Sequence, residues 1–347
     1  MLRFACSFQA GVGSSYASLW DVIGTQPVNN PSLSRWGSAA PYVFYGDFQG
    51  YGAVKVIDPQ DTWIINMSWC SINLLYAKMI NIGQYGNGTG GDIMGMHAII
   101  EMDASGHLTL KTGNSLAVVA TSTQRVRVNR FYSTQIKYVC DNTTGRVVVT
   151  MDGEEFINYT GDTYPSAETT FPDCIGFAYQ YNGGNANSVY QDIAIFDGQA
   201  GLTSDTPNPT RTVMRIPQGV GTYNDGTPHS DSTHAYNVRD VPPDGDTSYN
   251  EVDVVGDKES YDFTDLPATA TAVLGLQVNT DARRTDVGTR ELEDLLIISS
   301  TVYTLGSYVV PTGYTYSGTV VEVSPATSSQ FTVSEVNDSE AGFEVVS

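Results

Sequence analysis

The sequence predicts an all-β protein with two sandwich-like domains, and three observations support this. Short apolar runs rich in Val, Ile, Tyr and Phe recur along the chain, as is typical of strands that form a half-buried pleated surface. The composition of 34 Gly, 15 Pro and 21 Tyr is typical of a β-protein with many turns. The sequence has no sustained heptad repeat, so a coiled coil is not expected. A chain of 347 residues is longer than a single domain of ordinary size, which suggests two domains.

Residues 137–197 carry the clearest strand pattern. Apolar runs flank a turn at Asp141–Gly145 and a second turn at Asp152-Gly153. Asp-Gly is a strong hairpin signal, because Gly tolerates the positive φ that a two-residue turn requires. A further strand follows Cys174, and the closing strand ends at Asp197 before Gly198. The stretch therefore predicts an antiparallel meander.

The first domain is placed at residues 1–200, with turn signals such as Asn87-Gly88 and Ser105-Gly106 between strands. The run Trp63–Trp69 alternates poorly, which predicts a central strand covered on both faces. Strands are predicted in chain order at Tyr42–Tyr45, Ala53–Ile57, Trp63–Trp69, Ala77–Gly83, Met96–Met102, Leu108–Lys111, Leu116–Ala120, Tyr132–Cys140, Arg146–Met151, Glu155–Tyr159, Ile175–Tyr181 and Asp192–Phe196.

Residues 201–212 have the small, polar, Pro-bearing composition of a linker, and residues 213–347 form a second β-rich domain. Thr285–Ile298 admits a helix, but alternation from Arg290 to Ile298 favours a hairpin. The strands of this domain begin at Val213 and continue at Glu251–Val255, Ser260–Phe263, Thr271–Asn279, Glu291–Ser299, Tyr303–Val309, Gly318–Val323 and Phe343–Val346.

The charge is strongly acidic, with a formal net value of −21. Residues 1–200 hold 16 acidic and 10 basic side chains, whereas residues 201–347 hold 22 and 7. Direct nucleic-acid binding is not expected, since it needs clustered Lys and Arg. Membrane insertion is not expected, because no apolar run approaches about 18 residues. A secretory leader is not expected, because Gln9 and a Gly-rich stretch follow the short apolar start at once.

No cofactor or metal is expected from the motifs. The four cysteines, Cys6, Cys70, Cys140 and Cys174, form no C-x-x-C pair, so buried free thiols are expected instead of zinc ligands or a disulfide framework. The histidines lack a local metal spacing, although His229 and His234 share one polar loop. Calcium near Asp244 and Asp246, with Asp240 close by, is left open.

Candidate catalytic groups are few. Glu101 and Asp103 alternate on one predicted strand and so share a face, but a third acid is missing, and a solvated strand end is expected there. Glu154 and Glu155 are adjacent and point to opposite faces. No G-x-S-x-G motif is present. The sequence therefore predicts no catalytic residue and no enzyme.

A glycan-binding site has better chemistry. Aromatic faces stack on sugar rings and amides bond hydroxyls. The candidates surround a Gly-rich loop, for which ordinary loop packing is the alternative. They are Tyr179, Tyr181, Asn182, Asn185 and Asn187.

The order of strands and turns in residues 137–197 resembles that of the concanavalin A-like (laminin-G-like) jelly roll. Segments of the second half resemble, in their order, a family of phage tail or minor virion structural proteins in which such a domain precedes a C-terminal β-rich module. These segments are Arg215–Pro217, Val241–Tyr249, Glu259–Leu266, Leu276–Arg284, Gly288–Arg290, Ser324–Thr327 and Ala341–Val345. The segment Ser324–Val336 departs from the family, which usually has Trp near Phe331.

The resemblance implies a non-enzymatic structural component of a tailed-phage virion, on the tail or baseplate, that acts in assembly and host attachment. The alternative is a host-glycan adhesin (a tail fibre or head-decorating fibre), and the third interpretation is a glycan depolymerase. Expected partners are other virion proteins, copies of the same chain in a homo-oligomer, and a host surface glycan. The C-terminal module is expected to supply oligomer contacts through strands such as Ala272–Val278 and Leu295–Ile298. The protein would be made in the host cytoplasm and reside on the virion.

Overall fold

The computed structural model describes residues 2–6, 22–23, 28–29, 42–45, 53–72, 77–86, 93–112, 116–165, 170–177, 187–198, 210–240 and 244–347. Strands dominate these residues, so the predicted all-β class is confirmed. The chain divides into two compact units, which meet in sequence between Thr212 and Val213. We call them the jelly-roll unit and the C-terminal unit. The predicted linker lies mostly outside the described residues, in 201–209, and stays a prediction.

The jelly-roll unit is a sandwich of two antiparallel sheets. Sheet 1 has the order β13-β12-β11-β6-β15-β4-β3, with β1 also paired to β15, and sheet 2 has the order β10-β9-β8-β7-β14-β5-β2. The strands are β1 Leu2–Cys6, β2 Val22–Ile23, β3 Val28–Asn29, β4 Tyr42–Tyr45, β5 Ala53–Val56, β6 Thr62–Ser71, β7 Lys78–Tyr85, β8 Ile93–Met102, β9 His107–Thr112, β10 Ala117–Arg125, β11 Tyr132–Val139, β12 Gly145–Met151, β13 Glu154–Gly161, β14 Cys174–Phe177 and β15 Asn187–Phe196.

Strand β6 is central and covered on both faces, as predicted from its weak alternation. It pairs with β11 on one side and β15 on the other. Trp63 and Trp69 are both fully buried, and the residues between them are buried too. A continuous apolar strand of this kind marks the middle of a core.

The predicted Asp152-Gly153 turn joins β12 to β13. Asp152 has φ of 51° and Gly153 has φ of 86°, so both residues occupy the left-handed region that a two-residue hairpin turn requires. The strands on either side pair antiparallel from Met151–Glu154 to Gly145–Gly161.

The inner and outer faces of sheet 2 follow from its register. The ring of Phe177 lies edge-on to the ring of Tyr190 in sheet 1, with centroids 5.6 Å apart, so Phe177 points into the sandwich. Ile80 lies opposite Phe177 and Ile100 opposite Ile80, so both point inward as well. Glu101, the next residue along β8, therefore points to the outer face of sheet 2.

The C-terminal unit contains a five-stranded antiparallel sheet of order β16-β19-β24-β21-β22. Two-stranded ladders β17–β18 and β20–β23 complete its sheets. Its elements are β16 Pro217–Asn224, β17 Thr227–His229, 3₁₀ turns at His234–Asn237 and Gly245–Thr247, β18 Tyr249–Glu251, β19 Lys258–Phe263, β20 Leu276–Ala282, β21 Arg290–Ile298, β22 Thr301–Val310, β23 Thr315–Val321, helix α1 Val333–Asn337 and β24 Glu340–Val345.

The β20–β23 ladder packs on the five-stranded sheet, which makes the unit sandwich-like. The carboxylate of Asp294 on β21 accepts hydrogen bonds from Thr280 of β20 at 2.9 Å and Thr319 of β23 at 2.6 Å. Leu296 and Phe331 lie in the apolar core between these layers. The ambiguous segment 285–298 contains strand β21, which turns at Ser299-Ser300 into β22 and so forms the favoured hairpin.

Several predicted boundaries in this unit are wrong. The strand predicted at Glu251–Val255 ends at Glu251, and Val254 and Val255 lie exposed in a turn. The run from Thr271 becomes a strand only at Leu276. The pattern search missed α1, whose capping box has Thr332 accepting from the Glu335 amide and Glu335 reaching back to the Thr332 amide.

Three of the four cysteines, Cys70, Cys140 and Cys174, are buried free thiols. Within the ranges given above, no helix has both the length and the apolar character needed to span a membrane.

Candidate functional site

A buried cluster of three charged side chains lies on the outer face of sheet 2. Glu101 of β8 binds Lys78 of β7 through one carboxylate oxygen and Lys111 of β9 through the other, the latter at 2.6 Å. The register places Lys78 directly opposite Glu101, and it places Lys111 opposite Ile99, the preceding residue on the same face. Three adjacent strands thus build what we call the lysine–glutamate cluster.

The cluster is largely removed from solvent. Lys78 and Glu101 are each 7% exposed, whereas the Lys111 side chain retains 29% exposure. Burial opposes ionisation of Glu101, but hydrogen bonds and charge from Lys111 and Lys78 outweigh it and hold the pKa of this carboxyl below its usual value. The site therefore contains an ionised carboxylate and two lysines, and it opens toward solvent beside Lys111.

Apolar and hydroxyl groups frame this cluster on the same face. Ile99 belongs to an apolar group with Val54 and Cys174. Thr109 lies opposite Glu101 and donates to the Glu101 carbonyl at 3.3 Å. Buried ion pairs are weak contributors to stability because desolvation offsets their attraction. A buried charged cluster on a sandwich face is thus a candidate for function.

The expectation of a solvated strand end at Glu101 and Asp103 is wrong. Glu101 is buried by strand pairing, while Asp103 leaves the strand and accepts hydrogen bonds from the backbone amides of Ser105 and His107. The carboxylates share no site. Pattern reasoning missed Lys78 and Lys111 because each is a single lysine within an apolar strand, and only pairing brings them to Glu101.

The predicted glycan-binding residues cannot be placed. Tyr179, Tyr181, Asn182 and Asn185 lie outside the described residues. Asn187 begins β15 with its backbone opposite Tyr45, and its side chain is outside the description. Their role stays a prediction.

The histidines lie at separate sites. His97 is buried in the jelly-roll sandwich, and His107 sits beside Asp103 at 3.6 Å. In the C-terminal unit, His229 binds Glu251 at 2.9 Å, and the Nδ1 of His234 lies 2.9 Å from the buried Glu259. Both are thus paired with carboxylates.

The acidic loop considered for calcium is held by other groups. Asp246 accepts hydrogen bonds from Arg283 at 3.0 Å and Tyr314 at 2.8 Å. The Ser248 hydroxyl lies 2.8 Å from an Asp240 carboxylate oxygen and 3.0 Å from an Asp244 carboxylate oxygen. In the described part of the chain, no group of three or more His, Cys, Asp and Glu side chains is placed to hold a metal ion.

Comparison with known proteins finds no matching family and no matching curated protein. Among solved structures, the chain is similar to an endo-β-1,4-glucuronan lyase from Trichoderma reesei, with 11% identity, a TM-score of 0.43, and coverage of 60% of this chain and 100% of the other. Alginate lyase Aly36B has 10% identity and a TM-score of 0.38, and the match covers 55% of this chain and 95% of the other. A Trypanosoma rangeli sialidase has 14% identity and a TM-score of 0.37, and the match covers 56% of this chain but only 30% of the sialidase.

These matches correct two expectations. We predicted that the protein is a structural component of a phage particle and that it is not an enzyme. The matched structures named here are glycan lyases and a sialidase, and none of them is a phage tail protein. The prediction rested on carboxylate pairs and nucleophile motifs sought within single segments, whereas strand pairing assembles the lysine–glutamate cluster without any local motif.

Proposed function

We propose that the jelly-roll unit is a glycan depolymerase that acts on an acidic glycan at the lysine–glutamate cluster. The observation that carries the proposal is Glu101, a buried carboxylate held ionised between Lys78 and Lys111 on one sheet face. Lys111 is the most exposed member of the cluster, and in this proposal it meets an anionic group of the glycan.

The composition of the cluster favours elimination over hydrolysis. Glycoside hydrolysis commonly uses two carboxyl groups, one as the acid and one as the base or nucleophile. The cluster contains one carboxylate, already ionised, and two cations. Such a set suits removal of a proton next to a carboxylate, because the lysines stabilise the negative charge that develops.

In the proposed step, Lys111 leaves Glu101 and neutralises the C6 carboxylate of a uronic acid residue, and the Glu101 oxygen that it releases takes the C5 proton. The electron pair of the broken C5–H bond forms the C4=C5 double bond. The C4–O bond breaks, and the departing oxygen takes a proton from a lysine ammonium or from water. No oxidant or reductant is needed, and the carboxyl proton of Glu101 returns to solvent.

The resemblance of the C-terminal segments to phage virion proteins supports a setting for this enzyme. We place it on the exterior of a phage particle, bound to other virion proteins and facing a host surface glycan. Immunogold labelling of intact particles with an antibody to this chain tests that setting independently of the reaction. Unlabelled particles would remove it.

The reaction is tested by incubating the full chain with alginate and with glucuronan, using a neutral β-glucan as the substrate control. We expect new reducing ends together with ultraviolet absorbance from the unsaturated uronic acid. Glu101→Gln should abolish both signals, whereas Glu154→Gln, an exposed residue of β13, should retain them. Reducing ends without absorbance would replace elimination by hydrolysis. No cleavage of either polyuronate would contradict the proposed substrate class.

A further inference from the structure

Strand β22 is an uncharged edge of the five-stranded sheet. Its sequence, Thr-Val-Tyr-Thr-Leu-Gly-Ser-Tyr-Val-Val over Thr301–Val310, contains no charged residue and no proline. It pairs with β21 on one side, and among the described residues no strand pairs with the other side. Proteins usually protect such edges with charges, prolines or short strands, because unpaired backbone groups invite another strand.

Three other edge strands are protected in this way. Strand β16, at the opposite edge of the same sheet, begins with Pro217 and has two register shifts against β19. Strand β13 begins with Glu154 and Glu155, and β10 ends at Arg125 after two register shifts. The uncharged β22 therefore stands apart from β16, β13 and β10.

A bulge in β22 changes which way its side chains point. Asp294 lies opposite Gly306 and Leu295 opposite Thr304, so Leu305 is an extra residue without a partner in β21. Beyond it the alternation shifts by one position. Tyr303 lies opposite Leu296 and Tyr308 opposite Leu292, so the two tyrosines share a face although an odd number of positions separates them.

This shift makes the strand complementary to itself. When two copies of β22 run antiparallel about an axis between Leu305 and Gly306, Tyr303 meets Tyr308 and Val302 meets Val309. Thr304 meets Ser307 in the same arrangement. Aromatic pairs, β-branched pairs and Thr–Ser pairs are the stabilising cross-strand combinations. At the axis the bulky Leu305 faces Gly306, which has no side chain to obstruct it. Because of the bulge, the two residues of each such pair also direct their backbone N–H and C=O groups in the same sense, either both toward or both away from the partner strand.

We propose that β22 pairs with β22 of a second copy of this chain, joining two five-stranded sheets into one across a two-fold axis. A second copy is the occupant because both halves of the strand match each other, as a symmetric contact requires. Residues 201–347 carry 22 acidic and 7 basic side chains, so two copies of this unit repel each other. Because β22 has no charged residue, the β22–β22 contact itself brings no like charges together. This inference is independent of the proposed reaction. It also moves the predicted oligomer contact away from Leu295–Ile298, which is buried in the unit's own sheet.

The first test is sedimentation of the full chain over a concentration series, which should show a monomer–dimer equilibrium. Val309→Glu should raise the dissociation constant about tenfold, since each dimer loses two Val302–Val309 pairs. Val309 is 62% exposed, so the variant should fold. Val254→Glu is the matched control, because Val254 is 57% exposed in a turn and should leave the equilibrium unchanged. A monomer at every concentration, or equal effects of both variants, would overturn the proposal.

The second test fixes the register. A Thr304→Cys/Ser307→Cys chain should form disulfide-linked dimers under mild oxidation, since each new thiol faces the other type across the axis. The separate variants Thr304→Cys and Ser307→Cys should stay unlinked, because neither residue meets its own copy. Circular dichroism checks that all three fold. Linkage of the single variants, or no linkage of the double variant, would refute this register.

Discussion

Nδ1 of His97 lies 3.3 Å from the Tyr138 hydroxyl inside the jelly-roll sandwich, and both side chains are fully buried. The hydroxyl donates to the Thr163 carbonyl at 2.6 Å, and Nδ1 also lies 3.5 Å from the Cys140 thiol. Nε2 is buried and has no hydrogen-bond partner among the described residues. Burial lowers the pKa of His97 from 6.5 to about 4. The imidazole is therefore neutral in the folded protein at neutral pH.

This histidine predicts a loss of stability on mild acidification. Between pH 6.5 and 4 the unfolded chain binds a proton at His97 that the folded chain refuses, so stability falls as pH decreases through this window. From pH 7 to pH 5 the expected loss is about 2 kcal/mol. Urea unfolding of the full chain at both pH values measures it.

His97→Gln supplies the comparison, since glutamine fills part of the space and does not titrate. Its unfolding free energy should change less between pH 7 and pH 5 than that of the unaltered chain. His107→Gln is the control at a partly exposed histidine and should keep the part of the pH dependence that His97 supplies. An unchanged pH response in His97→Gln would assign the effect to other groups.

The lysine–glutamate cluster predicts a strong coupling in a double-mutant cycle. Lys78→Met leaves Glu101 buried with one cation fewer and should cost about 3 kcal/mol of unfolding free energy. Lys78→Met/Glu101→Leu removes both charges and should recover most of that loss, because the uncompensated carboxylate is gone. Chemical denaturation at neutral pH measures all four corners of the cycle.

Lys258→Met is the control for this cycle, since Lys258 binds Glu344 at 2.6 Å in a partly exposed pair. Exposed pairs contribute about 0–1 kcal/mol, so its effect should be clearly smaller. Additive losses at Lys78 and Glu101 would show that the two side chains do not act as one unit.

The β12–β13 turn predicts a cost that comes from the backbone alone. An added Cβ at Gly153 would meet no atom within 4 Å, yet its φ of +86° is one that L-residues rarely adopt. Gly153→Ala should therefore destabilise the protein by about 1 kcal/mol through backbone strain. Thermal unfolding measures the change. Gly313 is equally open and lies outside the positive-φ region, so Gly313→Ala should not destabilise the protein.

Local patterns were sufficient for most of the strands and for individual turns. Tyr42–Tyr45 was predicted to the residue, and the Asp152-Gly153 turn has the expected positive φ values. The failures fall where local signals conflict with packing. Val254 and Val255 have strand propensity but lie exposed in a turn, and α1 is too short for periodicity to reveal it.

The sequence alone determined the all-β class, the hairpin at Asp152-Gly153 and the central position of Trp63–Trp69, because each depends on side-chain alternation or turn chemistry over a few neighbouring residues. Tertiary structure alone decided that Lys78 and Lys111 meet Glu101, since Lys78 is 23 positions away and only strand register joins them. It also decided that the bulge at Leu305 aligns Tyr303 with Tyr308 on one face. Register depends on burying the inner face of each sheet, so it is a property of the packed sandwich, and a single segment does not contain it.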